Sequence, residues 1–294
     1  MTTAHTKPNL SILARPSGAF AMLAVDQREA MRAMFAEHQS EPVPDDQVTA
    51  FKLAATRTLT PYASAVLLDK QFVLDRAIAE QAVAPGCALI AAADEFIPSP
   101  TELVADVRID WAVDPGHYRD KGALALKLLV IYRPDTDLAQ RISMVEEFVE
   151  RCRAHNLISI IEPLSRAPLA VPVWDWDAGV LAAARELGGL GADLYKAEMP
   201  LRGDGTDSEI RAACAAISEA VSSPWVVLSS GVHRDRFPHA VAQACAEGAS
   251  GFLAGRAVWS ACIGAPDPIR ALEEDAVRRL DALCHAVDDA VARH

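Results

Sequence analysis

Short apolar runs alternate with longer amphipathic stretches from one end of this chain to the other. The apolar runs cover residues 19–25, 63–68, 87–92, 123–130, 157–161, 193–197, 225–229 and 251–254. Their length and mainly apolar content predict eight buried strands. Each is followed by a segment that reads as a helix, or as a loop leading into one. Residues 29–37 and 137–153 place apolar side chains near helical spacing. Residues 235–247 do the same and stop at Gly248, and residues 268–292 read as a closing helix.

Strand–helix alternation implies a parallel sheet. Eight such units predict an α/β fold closed into a (β/α)8 TIM barrel, with an open doubly wound sheet as the competing arrangement. The third strand-to-helix connection, residues 96–110, is long and holds Pro98 and Pro100. No linker divides the chain, so residues 1–294 read as one barrel domain.

Composition narrows the partners. Of 294 residues, 51% are hydrophobic and 23% charged, a globular mixture that argues against disorder. The net charge of −12 repels nucleic acid and anionic membranes, so neither is an expected partner. The first ten residues are polar and lack the apolar core of a signal peptide, and no uncharged run is long enough to span a bilayer. The six scattered cysteines show no C-x-x-C pair and read as free thiols of a cytoplasmic protein. Cys152 and His155 have C-x-x-H spacing but no second pair, and the eight histidines are dispersed, so no metal ligand set is expected.

A barrel of this kind carries its active site at the C-terminal ends of its strands. There the first run ends in Asp26-Gln27-Arg28, the fourth contains Lys127, the fifth ends in Glu162, and the sixth carries Lys196. The seventh ends in Ser229-Ser230-Gly231, and the eighth leads into Gly255-Arg256. Strand side chains alternate between faces, so Lys127 shares one with Ala125 and Leu129, Glu162 with Ile158 and Ile160, and Lys196 with Leu194 and Glu198.

Ionisable groups on apolar strands are costly unless paired. Two lysines and a glutamate converging on one mouth could satisfy each other and also serve amine catalysis. A nearby Lys127 and burial would both favour a neutral, nucleophilic Lys196, with Glu162 moving protons. A purely structural Lys–Glu pair is the plainer alternative. Ser230, Gly231, Gly255 and Arg256 suggest a phosphate site at a helix N-terminus, against the alternative of ordinary turns. Gly188-Gly189-Leu190-Gly191 precedes a strand and reads as a helix end. Trp174 and Trp176 read as anchors of the fifth loop.

Residues 21–31, Ala-Met-Leu-Ala-Val-Asp-Gln-Arg-Glu-Ala-Met, resemble the first strand of the tagatose-1,6-bisphosphate aldolase family. Residues 61–69, 193–200 and 251–259 are similar to its sulfofructosephosphate aldolase branch. The resemblance runs over nearly the whole chain. It implies a class I aldolase with Lys196 as the Schiff-base lysine, Glu162 as the acid–base residue and Lys127 as a second site lysine. It further implies that Asp26 and Gln27 contact substrate hydroxyls, and that Ser230, Gly231, Gly255 and Arg256 bind phosphate. The implied branch reaction is reversible cleavage of 6-deoxy-6-sulfofructose 1-phosphate to dihydroxyacetone phosphate and sulfolactaldehyde, in sulfoquinovose breakdown. No cofactor is implied, and a homo-oligomer, dimer or tetramer, is. Residues 232–237 and the loop at 174–176 depart from the branch pattern.

Arg28 is the nearest obvious cation for the sulfonate, with pairing to Glu29 or Asp69 as its structural alternative. The competing functions are a tagatose- or fructose-bisphosphate aldolase with the same chemistry, a metal-dependent class II aldolase, and a non-catalytic sugar-phosphate-binding barrel.

Overall fold

The computed structural model describes residues 8–171 and 174–292; residues 1–7 of the polar N-terminal stretch lie outside it. Ten strands form. They are β1 (Phe20–Val25), β2 (Ala65–Leu68), β3 (Ala88–Ala92), β4 (Asp94–Ile97), β5 (Asp106–Ile109), β6 (Ala123–Tyr132), β7 (Ile158–Ser165), β8 (Leu194–Glu198), β9 (Trp225–Leu228) and β10 (Gly251–Ala254). Eight of them close into a parallel barrel in the order β1-β10-β9-β8-β7-β6-β3-β2. These are the eight runs read from the sequence.

Among the described residues eleven α-helices accompany the strands. They are α1 (Glu29–Ala36), α2 (Asp45–Leu59), α3 (Leu74–Ala79), α4 (Pro115–Asp120), α5 (Leu138–Ala154), α6 (Trp176–Leu187), α7 (Asp207–Ala220), α8 (Phe237–Ala246), α9 (Arg256–Ile263), α10 (Pro268–Ala271) and α11 (Val277–Val291). A π-helical stretch, Leu272–Ala276, joins the last two, so the tail is the expected closing helix with one widened turn. α6 ends at Leu187 with Gly188 as its cap, as the glycine-rich stretch predicted. The six cysteines are free thiols. Among the described residues no helix is long and apolar enough to cross a membrane.

Two strands outrun their expected ends by two residues or more. β6 reaches Tyr132 and β7 reaches Ser165, in register with Leu129 opposite Glu162 and Tyr132 opposite Ser165. Glu162 and Pro163 break the apolar run, yet all eight residues of β7 are buried. Burial is set here by the surrounding barrel and not by residue polarity. The long third connection is also not a plain loop. β4 and β5 pair antiparallel, Asp94 opposite Ile109 and Ile97 opposite Asp106, with Pro98 and Pro100 in the loop between them. In β5 the buried Val107 and Ile109 alternate with exposed Asp106 and Arg108, a period-two pattern too short to stand out alone.

The barrel interior is filled from below by Phe20, Met22, Ala65, Leu67, Ile90, Ile158, Ile160, Leu194, Val226 and Leu253, with Leu13 of the N-terminal 3-10 turn closing that end. A larger apolar layer lies between strands and helices. The upper end of the interior is therefore the only inward-facing layer left for polar side chains.

Candidate active site

Strand alternation carries the inward positions directly from the apolar plug into a charged layer. On β1 the sequence of inward residues is Met22, Ala24, then Asp26. On β3 it is Ala88, Ile90, Ala92, then Asp94 just beyond. On β6 it is Ala125 then Lys127, on β7 Ile158, Ile160 then Glu162, and on β8 Leu194 then Lys196. Asp26, Glu162 and Lys196 floor a cavity of about 670 Å³ at the strand ends, with the fully buried Lys127 and Asp94 beneath them. Its wall includes Gln27, Arg28, Phe96, Glu102, Leu129, Arg166, Ser229, Ser230, Gly255 and Arg256.

Lys127 is the hub of that floor. It is fully buried, and its Nζ lies 2.8 Å from Asp26 Oδ2, 2.8 Å from Asp94 Oδ2 and 3.0 Å from Glu162 Oε2. Burial disfavours the ammonium, but the three carboxylates outweigh it and hold its pKa well above the ordinary lysine value. Asp26 responds in the opposite sense. Burial pushes its carboxyl up, while Lys127 and Lys196 together hold it far below the usual carboxylate range. Lys127 is thus a permanent cation committed to three anions. It is not the free neighbouring charge that the sequence suggested as a means of deprotonating Lys196.

Glu162 joins the two lysines. Its Oε1 lies 2.9 Å from Lys196 Nζ while its Oε2 contacts Lys127. Among the described residues Oε2 has no aligned hydrogen-bond donor, so the Lys127 contact is an ion pair off the hydrogen-bond axis. The Lys196 side chain is 4% exposed, enough to face the cavity and too little to be solvated by bulk water.

Arg28 takes neither of the carboxylates that its structural alternative offered. Its Nη2 donates to Asp94 Oδ1 at 2.7 Å and to the Asp94 carbonyl at 2.8 Å, and its guanidinium stacks on Phe96 with 4.1 Å to the ring centre. Asp69 is instead paired with the buried Lys52 of α2, and Glu29 binds Arg32 at 2.8 Å. Beside Arg28, the Gln27 side-chain oxygen is buried with no hydrogen-bond donor among the described residues. A ligand hydroxyl entering the cavity would supply one.

Beyond the ends of β9 and β10, Ser230 accepts a hydrogen bond from Arg256, and Ser229 Oγ accepts one from Ala257 N at 3.3 Å. Gly255 sits where a Cβ would come within 2.1 Å of the Ala24 carbonyl oxygen, so the start of α9 can pack against β1 only with glycine there. Gly231 takes a left-handed backbone, φ 76°, that turns the chain away just after Ser230. Burial lowers the pKa of Arg256, offset in part by Glu162, and leaves it a cation.

The structure therefore brings Asp26, Gln27, Arg28, Lys127, Glu162, Lys196, Ser230, Gly255 and Arg256 to one cavity or its floor, with Gly231 in the turn beside it. Sequence reading missed Asp94 and Arg166. Asp94 continues the inward alternation Ala88-Ile90-Ala92 by one step, a signal available in the sequence but hidden by ending the strand at its last apolar residue. Arg166 continues Ile158, Ile160, Glu162 and Leu164 in the same way. Trp174 anchors its loop through a 3.2 Å hydrogen bond to Ser165 Oγ, and Trp176 opens α6 under the Arg202 guanidinium.

Comparison with known proteins identifies the family and the fold. The family described as DeoC/LacD family aldolase matches residues 20–261. Tagatose 1,6-diphosphate aldolase 2 of Streptococcus mutans is 27% identical over 275 residues, covering 84% of this chain and 82% of that protein. Tagatose 1,6-diphosphate aldolase of Staphylococcus haemolyticus is 25% identical over 292 residues, covering 90% and 88%. A solved structure of a Schiff base-forming fructose-1,6-bisphosphate aldolase aligns with a TM-score of 0.61 at 17% identity, over 95% of this chain and 98% of its own. Fructose-bisphosphate aldolase from Slackia heliotrinireducens aligns at 0.65 and 17%, over 93% and 88%. At such identities the structural matches speak for the fold.

Proposed function

The chain belongs to the DeoC/LacD family of aldolases, and on that premise we propose that it cleaves a phosphorylated ketose through a Schiff base on Lys196. The observation that carries this reading is the Lys196–Glu162–Lys127 array. A single nucleophilic amine faces the cavity, in contact with one carboxylate whose other oxygen is held by a fixed cation.

The chemistry follows from that placement. Lys196 adds to the ketose C2 carbonyl, and Glu162 protonates the departing hydroxyl as the carbinolamine loses water to form the iminium. A base then takes the C4 hydroxyl proton. The C3–C4 bonding pair moves into the iminium, leaving an enamine on the lysine and releasing an aldehyde. Protonation at C3 and addition of water return dihydroxyacetone phosphate and the free amine. Glu162 is the one carboxylate in contact with Lys196 and is the group for these transfers. Asp26, held ionised, and the unpartnered Gln27 oxygen accept hydrogen bonds from substrate hydroxyls. The phosphate takes the wall built by Ser230, Gly231, Gly255 and Arg256, where α9 begins.

For the substrate, 6-deoxy-6-sulfofructose 1-phosphate is the reading we favour, giving sulfolactaldehyde beside dihydroxyacetone phosphate in sulfoquinovose degradation. Its support is local charge. On the β1 and β4–β5 side of the cavity the wall holds Arg28, shared with Asp94, and Glu29, Glu95 and Glu102, each already paired with Arg32, Arg108 or Arg133, so among the described residues no free cation remains there. A sulfonate brings one negative charge and a phosphate monoester about 1.5 to 2, so the weaker anion suits that wall better. The second reading is a tagatose- or fructose-bisphosphate aldolase, favoured by the names of the relatives. We also expect a cytoplasmic homo-oligomer, dimer or tetramer, measurable by sedimentation.

Borohydride with dihydroxyacetone phosphate should add its reduced mass to Lys196, and Lys196→Ala should lose both labelling and turnover. Normal turnover by Lys196→Ala would end this reading. Chelation should leave activity intact; loss restored by zinc would indicate metal chemistry instead. Relative kcat/KM for the sulfonated ketose and the two bisphosphates decides between the substrates.

A further inference from the structure

We infer that Arg166, at the end of β7, is a second phosphate-binding guanidinium that closes on the anion opposite Arg256. This rests on the proposed phosphate site and names a residue of it that the sequence left out.

Arg166 follows Leu164 in the inward phase of β7, and its backbone N–H still donates to the Tyr132 carbonyl at 2.9 Å. The side chain is thereby aimed into the cavity, which it lines. Its one side-chain hydrogen bond runs to the carbonyl of its own neighbour Ser165, 3.0 Å away. Among the described residues no carboxylate lies within ion-pair distance of it. The same is true of Arg256, whose protein partner is the neutral Ser230 hydroxyl.

Of the other arginines around this mouth, Arg202 stacks on Trp176 beside Gly231 and does not line the cavity, and the rest are neutralised. Arg28 holds Asp94, Arg108 holds Glu95, Arg133 holds Glu102, and Arg141 holds Glu186. Arg166 and Arg256 are close enough for the charge of one to depress the pKa of the other. Leaving two like charges unneutralised in one cavity wall is unfavourable until an anion arrives between them.

The charge balance needs both. A phosphate monoester carries about −1.5 to −2 near neutral pH. Arg256 supplies one positive charge, and the N-terminus of α9 about half of one. Lys196 is already matched by Glu162. Arg166 supplies the missing unit. Planar guanidinium groups also grip tetrahedral oxyanions through two parallel N–H donors, which a lysine in the same place would not reproduce.

The test uses glycerol 3-phosphate, which carries the anion without a ketone, and the intact protein throughout. Calorimetry should show it binding wild-type and Lys196→Met protein, with affinity falling about tenfold or more in Arg166→Met and partly recovering in Arg166→Lys. In parallel, borohydride trapping at Lys196 is run with dihydroxyacetone phosphate and with phosphate-free dihydroxyacetone. Arg166→Met should lower the ratio of the first to the second at least tenfold. Wild-type affinity for glycerol 3-phosphate in Arg166→Met, an equal fall in both trapping reactions, or absence of binding to the wild type would each overturn the inference. Binding to wild type that is weakened in Arg166→Met, with no ketone trapped by any protein, would leave the clamp standing and remove the Schiff-base reading alone.

Discussion

Asp94 fixes Lys127 in place: its Oδ2 accepts from the buried ammonium at 2.8 Å and from the Leu129 backbone N–H at 3.1 Å. Its other oxygen holds Arg28. One carboxylate at the start of the β4–β5 hairpin therefore ties the hairpin to the barrel floor and sets the geometry of two site cations. Removing its charge leaves Lys127 with Asp26 and Glu162, and leaves Arg28 without an anion. Asp94→Asn should destabilise the fold by about 3 kcal/mol, as expected for breaking a buried pair. Chemical denaturation measures this, and a change under about 0.5 kcal/mol would show that the network does not hold the hairpin down.

Glu162→Gln keeps the side-chain shape and removes the proton carrier between Lys127 and Lys196. We expect kcat to fall about 10²–10⁴-fold, with slower imine formation in single-turnover trapping. A variant within a few-fold of wild-type kcat would take Glu162 out of the proton transfers.

Arg28 follows β1 and Arg256 follows the adjacent β10, and the proposed substrate gives them different anions. Arg256→Met should damage both ketose cleavage and dihydroxyacetone phosphate trapping. Arg28→Met should raise KM for the sulfonated ketose while sparing the trapping reaction, because Lys127 keeps Asp94 in position. An unchanged KM in Arg28→Met would place the sulfonate elsewhere.

Glu198 gives a pH signature for stability. Burial raises its carboxyl from 4.5 to about 7, against the backbone hydrogen bond it accepts from Ser165. An acid whose folded pKa is raised is protonated more readily in the folded state. Its ionisation therefore costs stability progressively as pH rises from about 4.5, and the full cost applies above about 7. A shift of that size corresponds to about 3 kcal/mol. Glu198→Gln can still accept from Ser165 without a charge. It should be more stable than wild type near pH 8 by up to that amount, with the gain vanishing near pH 4.5. Parallel stability curves for the two proteins across this range would contradict the buried-acid account.

The eight strands and their order of appearance were legible because a strand buried on both faces must be apolar along its whole length, a local property of the chain. The positions of Lys127, Glu162 and Lys196 were legible for the same reason: each is a charge at the inward phase of such a strand. Which charges neutralise which was not. Arg28 had Glu29 and Asp69 as plausible partners in the sequence, yet it pairs with Asp94, 66 residues away, because barrel closure brings β1 and the β4–β5 hairpin to the same floor. The extra length of β7 and the hairpin itself were hidden likewise, since polar residues enter strands when neighbours bury them. Local periodicity determines elements and inward positions. The number of carboxylates around Lys127, and the lack of any paired with the cavity-lining Arg166 and Arg256, are decided only when the barrel closes, because Coulomb interactions depend on distances in space and not along the chain.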